Sequence, residues 1–300
     1  MNLSGTVVPM ATPTHGSRRS VDTESLRQFT EQLIDGGVHG LFPGSSIGEF
    51  SSLTAAQNQQ VVETVAGAAN GDTTVMAGCC DTSVDGVLNH IEAADAAGAD
   101  AAVVVSPYYL GTTQPGLERF FTTIADESSL PLLLYNIPQL TGNELSVDLL
   151  GSLAGHDGIL GVKDTSGDLT YHHRVVTETP EDFVVFQGAT QLATASLEVG
   201  ADGLIAGPAN VFPGALADLY ESYTRGDLVA AQQLMREVVT PFVSATSGLP
   251  TAAAMKHLVG LDGLAIGEPL PPLPQLTAAE QRALETTYRQ MAKRAAEQTV

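Results

Sequence analysis

Positive charge is what this chain has least of. Its 13 lysines and arginines stand against 34 acidic side chains, a formal net charge of −21. Such a surface repels nucleic acid and anionic membranes, so neither is an expected partner. The acidic residues are spread along the sequence without a block or tail. That pattern reads best as adaptation to high salt, where screening removes the self-repulsion of the folded state. Cysteine is nearly absent too. Cys79 and Cys80 are adjacent, cannot staple distant segments, and read as two small residues at a strand end. No run approaches the roughly 18 apolar residues a membrane span requires. Residues 1–14 lack the basic start and long apolar stretch of a secretory signal. Together these absences predict a soluble, cytoplasmic protein.

Ligand motifs are missing as well. No G-x-G-x-x-G follows the first strand-like segment, which argues against a dinucleotide fold. The candidate metal ligands His15, His39, Glu49 and Asp164 are scattered, and His172-His173 reads as surface helix. No metal and no organic cofactor is expected.

What is present is a rhythm. Short β-like segments cover residues 5–10, 40–44, 74–78, 101–106, 132–136, 159–163, 183–187 and 203–206. Helix-like stretches alternate with them at residues 22–35, 54–69, 83–97, 117–126, 146–153, 169–177 and 191–199. Apolar runs without alternation suggest strands covered on both faces, as in a parallel sheet. Eight such β-α units predict a (β/α)8 TIM barrel over residues 1–212. The alanine-rich remainder, residues 213–300, predicts a helical extension packed on the barrel. In its proline stretch, residues 268–274, a rigid connector is the simplest reading, with Thr277 and Glu280 forming a capping box for the last helix.

Active sites of such barrels lie at the C-terminal ends of the strands. The second strand leads into Pro43-Gly44-Ser45-Ser46-Ile47-Gly48-Glu49, where hydroxyls and bare N–H groups can hold a carboxylate without a cation. The fourth ends in Ser106-Pro107-Tyr108-Tyr109 and the fifth in Tyr135-Asn136-Ile137-Pro138. The sixth ends in Lys163, one of only three lysines. Desolvation at a strand mouth favours the uncharged amine, which is a nucleophile towards carbonyls. On position alone a packed stem with a snorkelling head is the preferred reading of Lys163. Convergence with tyrosines and a serine pair at one barrel mouth tips the balance to chemistry.

The ordered set of motifs resembles the dihydrodipicolinate synthase / N-acetylneuraminate lyase superfamily of class I aldolases. The matching elements are Gly44-Ser45-Ser46-(Ile47)-Gly48-Glu49, Pro107-Tyr108-Tyr109, Tyr135-Asn136-Ile137-Pro138-Gln139-Leu140-Thr141-Gly142 and Gly161-Val162-Lys163-Asp164-Thr165. Weaker ones are Gly188 and Ile205. The resemblance implies a covalent imine between Lys163 and a small-molecule 2-oxo acid. Tyr135 is then the proton relay, and Ser45 and Ser46 are the carboxylate binders, with Ser46 bonded to the Tyr135 hydroxyl. Tyr109 reaches into a neighbour's site, Thr165 touches substrate hydroxyls, and Gly188 and Ile205 surround the pyruvyl end. It also implies a homotetramer built as a dimer of dimers.

Dihydrodipicolinate synthases carry an arginine where this chain has Leu140, and a buried leucine there cannot satisfy a second carboxylate. Together with Asp164-Thr165, this leans towards cleavage of 2-keto-3-deoxygluconate, or its 6-phosphate, to pyruvate and glyceraldehyde or its 3-phosphate. The loop at residues 110–114 offers no arginine or lysine for a phosphate. The alternatives are N-acetylneuraminate lyase, a keto-deoxy-sugar-acid dehydratase and dihydrodipicolinate synthase. Outside the superfamily stand a non-catalytic 2-oxo-acid-binding barrel and a metal-dependent aldolase.

The charge reading has a direct check. The thermal melting midpoint should rise as salt is taken into the molar range, and a flat or falling midpoint would refute the high-salt reading.

Overall fold

Apolar runs that do not alternate need cover on both faces, and a closed barrel wrapped in helices supplies it. The computed structural model describes residues 3–15, 19–71 and 73–298. Its barrel strands are β1 (Gly5–Pro9), β2 (Gly40–Phe42), β3 (Thr74–Gly78), β4 (Ala101–Val105), β5 (Leu132–Asn136), β6 (Ile159–Asp164), β7 (Val184–Gln187) and β8 (Gly203–Ile205). Each pairs in parallel with the next, and β8 closes on β1. These are the eight segments expected from sequence, trimmed by a residue or two at some ends.

Alternation along each strand divides the core in two. One set of side chains, including Val7, Phe42, Met76, Leu133, Phe186 and Ile205, fills the lumen. The other, including Val8, Leu41, Leu134 and Val162, packs outward against the helices. Register then decides which residues share a level: Tyr135 pairs with Lys163, and Lys163 with Phe186. These three belong to the inward-facing positions. Asp164, the next residue, must face outward.

The helices start where local chemistry supplies caps. Asp22, Ser83, Ser146 and Asp168 side chains each accept a backbone N–H from the first turn of the helix that follows. Thr54 and Gln57 form a reciprocal capping box. Helix Pro213–Thr224 follows β8 and joins the outer ring, where Thr6 Oγ1 donates to the Leu216 carbonyl at 2.9 Å. The extension beyond the barrel therefore starts with helix Leu228–Leu234. It runs on through Thr240–Thr246 and Thr251–Gly260 to the final helix Ala278–Gln298. Thr277 and Glu280 cap that last helix as expected, with N–H donations of 2.7 Å and 3.3 Å in opposite directions. Its Tyr288 ring stacks on Phe212, centroids 5.8 Å apart. A small antiparallel pair, Thr14–His15 with Ser20–Val21, was not anticipated. Among the described residues no helix is long and apolar enough to cross a membrane.

One glycine is dictated by the sheet itself. A Cβ on Gly161 would sit 2.0 Å from the Val184 carbonyl oxygen on the neighbouring strand. Neither backbone can yield without breaking the ladder. Gly161→Ala should lower unfolding stability by about 1–3 kcal/mol in a urea titration; an unchanged midpoint would contradict the close approach of β6 and β7.

Candidate active site

The sixth strand carries Lys163 into the lumen, where it is 4% exposed. Its Nζ lies 3.7 Å from the centre of the Tyr135 ring and 5.1 Å from that of Phe42. Among the described residues no carboxylate pairs with it and no group hydrogen-bonds to it. The amine opens instead onto a cavity of about 920 Å³ at the C-terminal end of the barrel. Ser45, Ser46, Tyr135, Thr165, Gly188 and Ile205 line the same cavity. Among the described residues Lys163 is the only lysine or arginine in that lining. Seven of the eight residues singled out from sequence thus converge on one space.

The two serines prove unequal. Ser45 is buried, and its hydroxyl is consumed by the loop: it accepts the Gly48 N–H at 3.1 Å and donates to the Met10 carbonyl at 3.3 Å. Ser46 is half-buried, and its hydroxyl has no partner among the described residues. The N–H groups of Ser46 and Ile47 are likewise unengaged. One hydroxyl and two bare N–H groups beside an amine suit a carboxylate. Ser45 thus shapes the turn, while the Ser46 hydroxyl is left unengaged. The expected bond between Ser46 and the Tyr135 hydroxyl is not formed here, and neither side chain has a hydrogen bond among the described residues.

Thr165 Oγ1 is buried with no partner among the described residues. It lies against Gly188, where a Cβ would stand 2.1 Å from that oxygen and 3.0 Å from Lys163 Cε. The Gly188 N–H is held by the Asp164 carbonyl at 2.7 Å. Gly188 thus contributes absence of bulk beside the amine.

Tyr109 is the exception. It is 93% exposed, lies outside its own chain's cavity, and has φ of 80°, a left-handed conformation disfavoured for a side chain of its size. Tyr108 does line the cavity, and burial raises its hydroxyl above the ordinary tyrosine value, so it stays protonated. Cys80, in the lumen cluster, is pushed up to about 12 by burial and remains a thiol, no rival to the amine.

Two expectations fail. Leu140 is not buried but 66% exposed at the cavity rim, because its four-residue helix Pro138–Thr141 turns it outward. His172 is not on the surface: it is fully buried, with Nδ1 3.1 Å from Asp164 Oδ2, while His173 is exposed. Asp164 Oδ1 also accepts Asn136 Nδ2 at 3.2 Å and the Ser166 N–H at 2.9 Å. This outward-facing cluster fixes the residue after Lys163 and so holds Lys163 inward. Sequence reading missed it, although His172 and Val175 share the i, i+3 spacing of a buried helix face. It also missed a buried ion pair between Glu49 and Lys256. Among the described residues no group of three or more His, Cys, Asp or Glu could hold a metal ion.

Comparison with known proteins agrees with this geometry. The model of the dihydrodipicolinate synthetase family matches residues 2–291. A 4-hydroxy-tetrahydrodipicolinate synthase of Methanoculleus marisnigri is 37% identical over 89% of this chain and 92% of that one. A DapA-like lyase of Halobacterium salinarum is 33% identical over 95% and 93%. Among solved structures, the 4-hydroxy-tetrahydrodipicolinate synthase of Methylacidiphilum fumariolicum superposes with a TM-score of 0.94 at 27% identity, covering 98% of both chains. YagE of Escherichia coli, a member of the dihydrodipicolinic acid synthase family solved with pyruvate, does so with a TM-score of 0.93 at 26% identity, covering 97% and 99%.

The tight fit at Gly188 generates a test. Gly188→Ala should keep the wild-type circular dichroism yet lower turnover of any 2-oxo acid substrate about a hundredfold, because it displaces Lys163 and Thr165. Wild-type initial rates in the variant would contradict the placement.

Proposed function

The chain belongs to the dihydrodipicolinate synthetase family, and on that premise we propose that Lys163 forms the Schiff base of a pyruvate-dependent aldolase. Enzymes of this family are carbon–carbon lyases that hold pyruvate on a lysine and use no external cofactor. The single observation supporting the assignment is a buried amine without a counter-charge, facing a cavity, with a tyrosine ring against it.

The chemistry follows from the residues. The Lys163 amine attacks the ketone of the 2-oxo acid, and loss of water gives an imine. Protonated, that imine is an electron sink: a C3 proton or the C3–C4 bond can leave its electron pair in an enamine. Ser46 and the N–H groups of Ser46 and Ile47 hold the carboxylate. Tyr135 moves the proton at the reacting carbons. Tyr109, exposed and strained on its own chain, acts in this reading from a neighbouring copy, as a dimer within a tetramer would allow. Gly188 and Ile205 leave room for the pyruvyl end, and Thr165 meets a substrate hydroxyl. The acidic surface supports work in high salt.

The second substrate is where two observations diverge. The names of the relatives favour condensation of pyruvate into 4-hydroxy-tetrahydrodipicolinate over the sugar-acid cleavage expected from sequence. That reaction takes the better-supported place here. The cavity supplies the reason to keep 2-keto-3-deoxygluconate cleavage as a second reading. Among the described residues its lining has no cation except Lys163, and Leu140 stands at its rim where a second carboxylate would be gripped. A neutral hydroxylated tail meets the unpartnered Thr165 hydroxyl instead.

A panel assay in high salt separates them. Pyruvate consumption with aspartate semialdehyde supports the synthase, and pyruvate release from keto-deoxy sugar acids supports the lyase. Pyruvate handling with neither, by a folded protein, would sink the aldolase reading.

A further inference from the structure

The loop that presents Ser46 ends at Glu49, and Glu49 is gripped from the far end of the chain. Lys256 Nζ lies 2.6 Å from Glu49 Oε1, with side chains 1% and 0% exposed. Glu49 Oε2 accepts the Leu270 N–H at 2.6 Å. The same ammonium donates to Thr14 Oγ1 at 2.7 Å and to the Glu268 carbonyl at 3.0 Å. Segments after β1 and β2, helix Thr251–Gly260 and the proline stretch thus meet at one buried charge pair.

As a source of stability this is a poor choice, since apolar side chains of similar volume often do as well or better. Its position suggests another use. Glu49 has φ of 62° and ψ of 30°, a left-handed backbone that a non-glycine residue holds only when its surroundings fix it. The Glu49 N–H donates to the Ser46 carbonyl at 3.2 Å, so the backbone of Glu49 bears directly on Ser46. Between them Gly48 is wedged: a Cβ there would lie 2.7 Å from the Met10 carbonyl oxygen, and its own carbonyl accepts Thr12 Oγ1 at 2.8 Å. The loop therefore has little freedom except through Glu49.

We propose that Lys256 and Glu49 are positioning residues for substrate: their ion pair holds the strained turn that aims the Ser46 hydroxyl and the Ser46 and Ile47 N–H groups at the 2-oxo acid carboxylate. The C-terminal extension, whose Phe242, Met255 and Leu273 line the same cavity, thereby takes part in binding at the strand ends. Burial pulls the Lys256 ammonium below the usual lysine range, and Glu49 opposes that pull. This inference rests on the imine at Lys163.

The test needs pyruvate alone. Imine and enamine interconvert by loss and return of a C3 proton, so in deuterated water the enzyme exchanges the pyruvate methyl hydrogens, which proton NMR follows. In Lys256→Met the half-saturating pyruvate concentration should rise about tenfold, the loss of one well-placed contact to a charged group. The maximal exchange rate should stay within about threefold of wild type, since the amine is untouched. The double variant Glu49→Gln/Lys256→Met leaves no buried charge unpaired and should show the same rise, which settles the matter if the single variant does not fold. A folded variant with a lower melting temperature and wild-type half-saturation overturns the proposal and leaves the pair purely structural. Absence of exchange in the wild-type enzyme would instead remove the imine reading, and this inference with it.

Discussion

An amine buried in a barrel lumen with no carboxylate beside it is the constraint on which this structure's chemistry depends. The chain contains its own control. Lys163 and Lys256 are both buried. Lys256 is neutralised by Glu49, and two further oxygens accept from it. Lys163 has a tyrosine ring and a cavity. Among the described residues only one of the two is engaged by an ion pair. In a protein with three lysines, one of these two is an anchor and the other is the nucleophile we propose.

The barrel makes that division possible. Parallel pairing of β5 with β6 sets Tyr135 level with Lys163, and alternation sends Asp164 the other way. Asp164 then finds Asn136, Ser166 and His172 on the outer face. Strand geometry thus separates two adjacent charged residues that would otherwise pair and quench each other. Gly161 and Gly188 are bare because backbone and amine approach too closely for a side chain. The site is a product of sheet register more than of loops.

Much of this was legible from sequence, for physical reasons. Eight apolar runs between capped helical stretches favour a barrel over a doubly wound sheet, and its strand ends bring Ser46, Tyr135, Thr165 and Lys163 together. What was illegible depended on partners distant in the chain or on which face of a helix turned inward. Glu49 and Lys256 have no local signal of their pairing. The two-residue strands at Thr14–His15 and Ser20–Val21 are too short for periodicity to show. His172 sits beside exposed His173, and adjacency hid that one faces the core. Leu140 was expected to be buried because it is apolar, but a short helix carries it to the rim. The serine pair looked equivalent, yet hydrogen bonds of the turn claim only Ser45. Substrate identity stands apart from all of these, because relatives' names favour the synthase while the described residues give the cavity no second cation.

The most direct measurement is borohydride reduction in the presence of pyruvate, followed by peptide mass mapping. The account predicts one added reduced pyruvyl group, on the peptide containing Lys163, and none in Lys163→Arg. Label on Lys256 or Lys293, or no label on a folded wild-type protein, would contradict it.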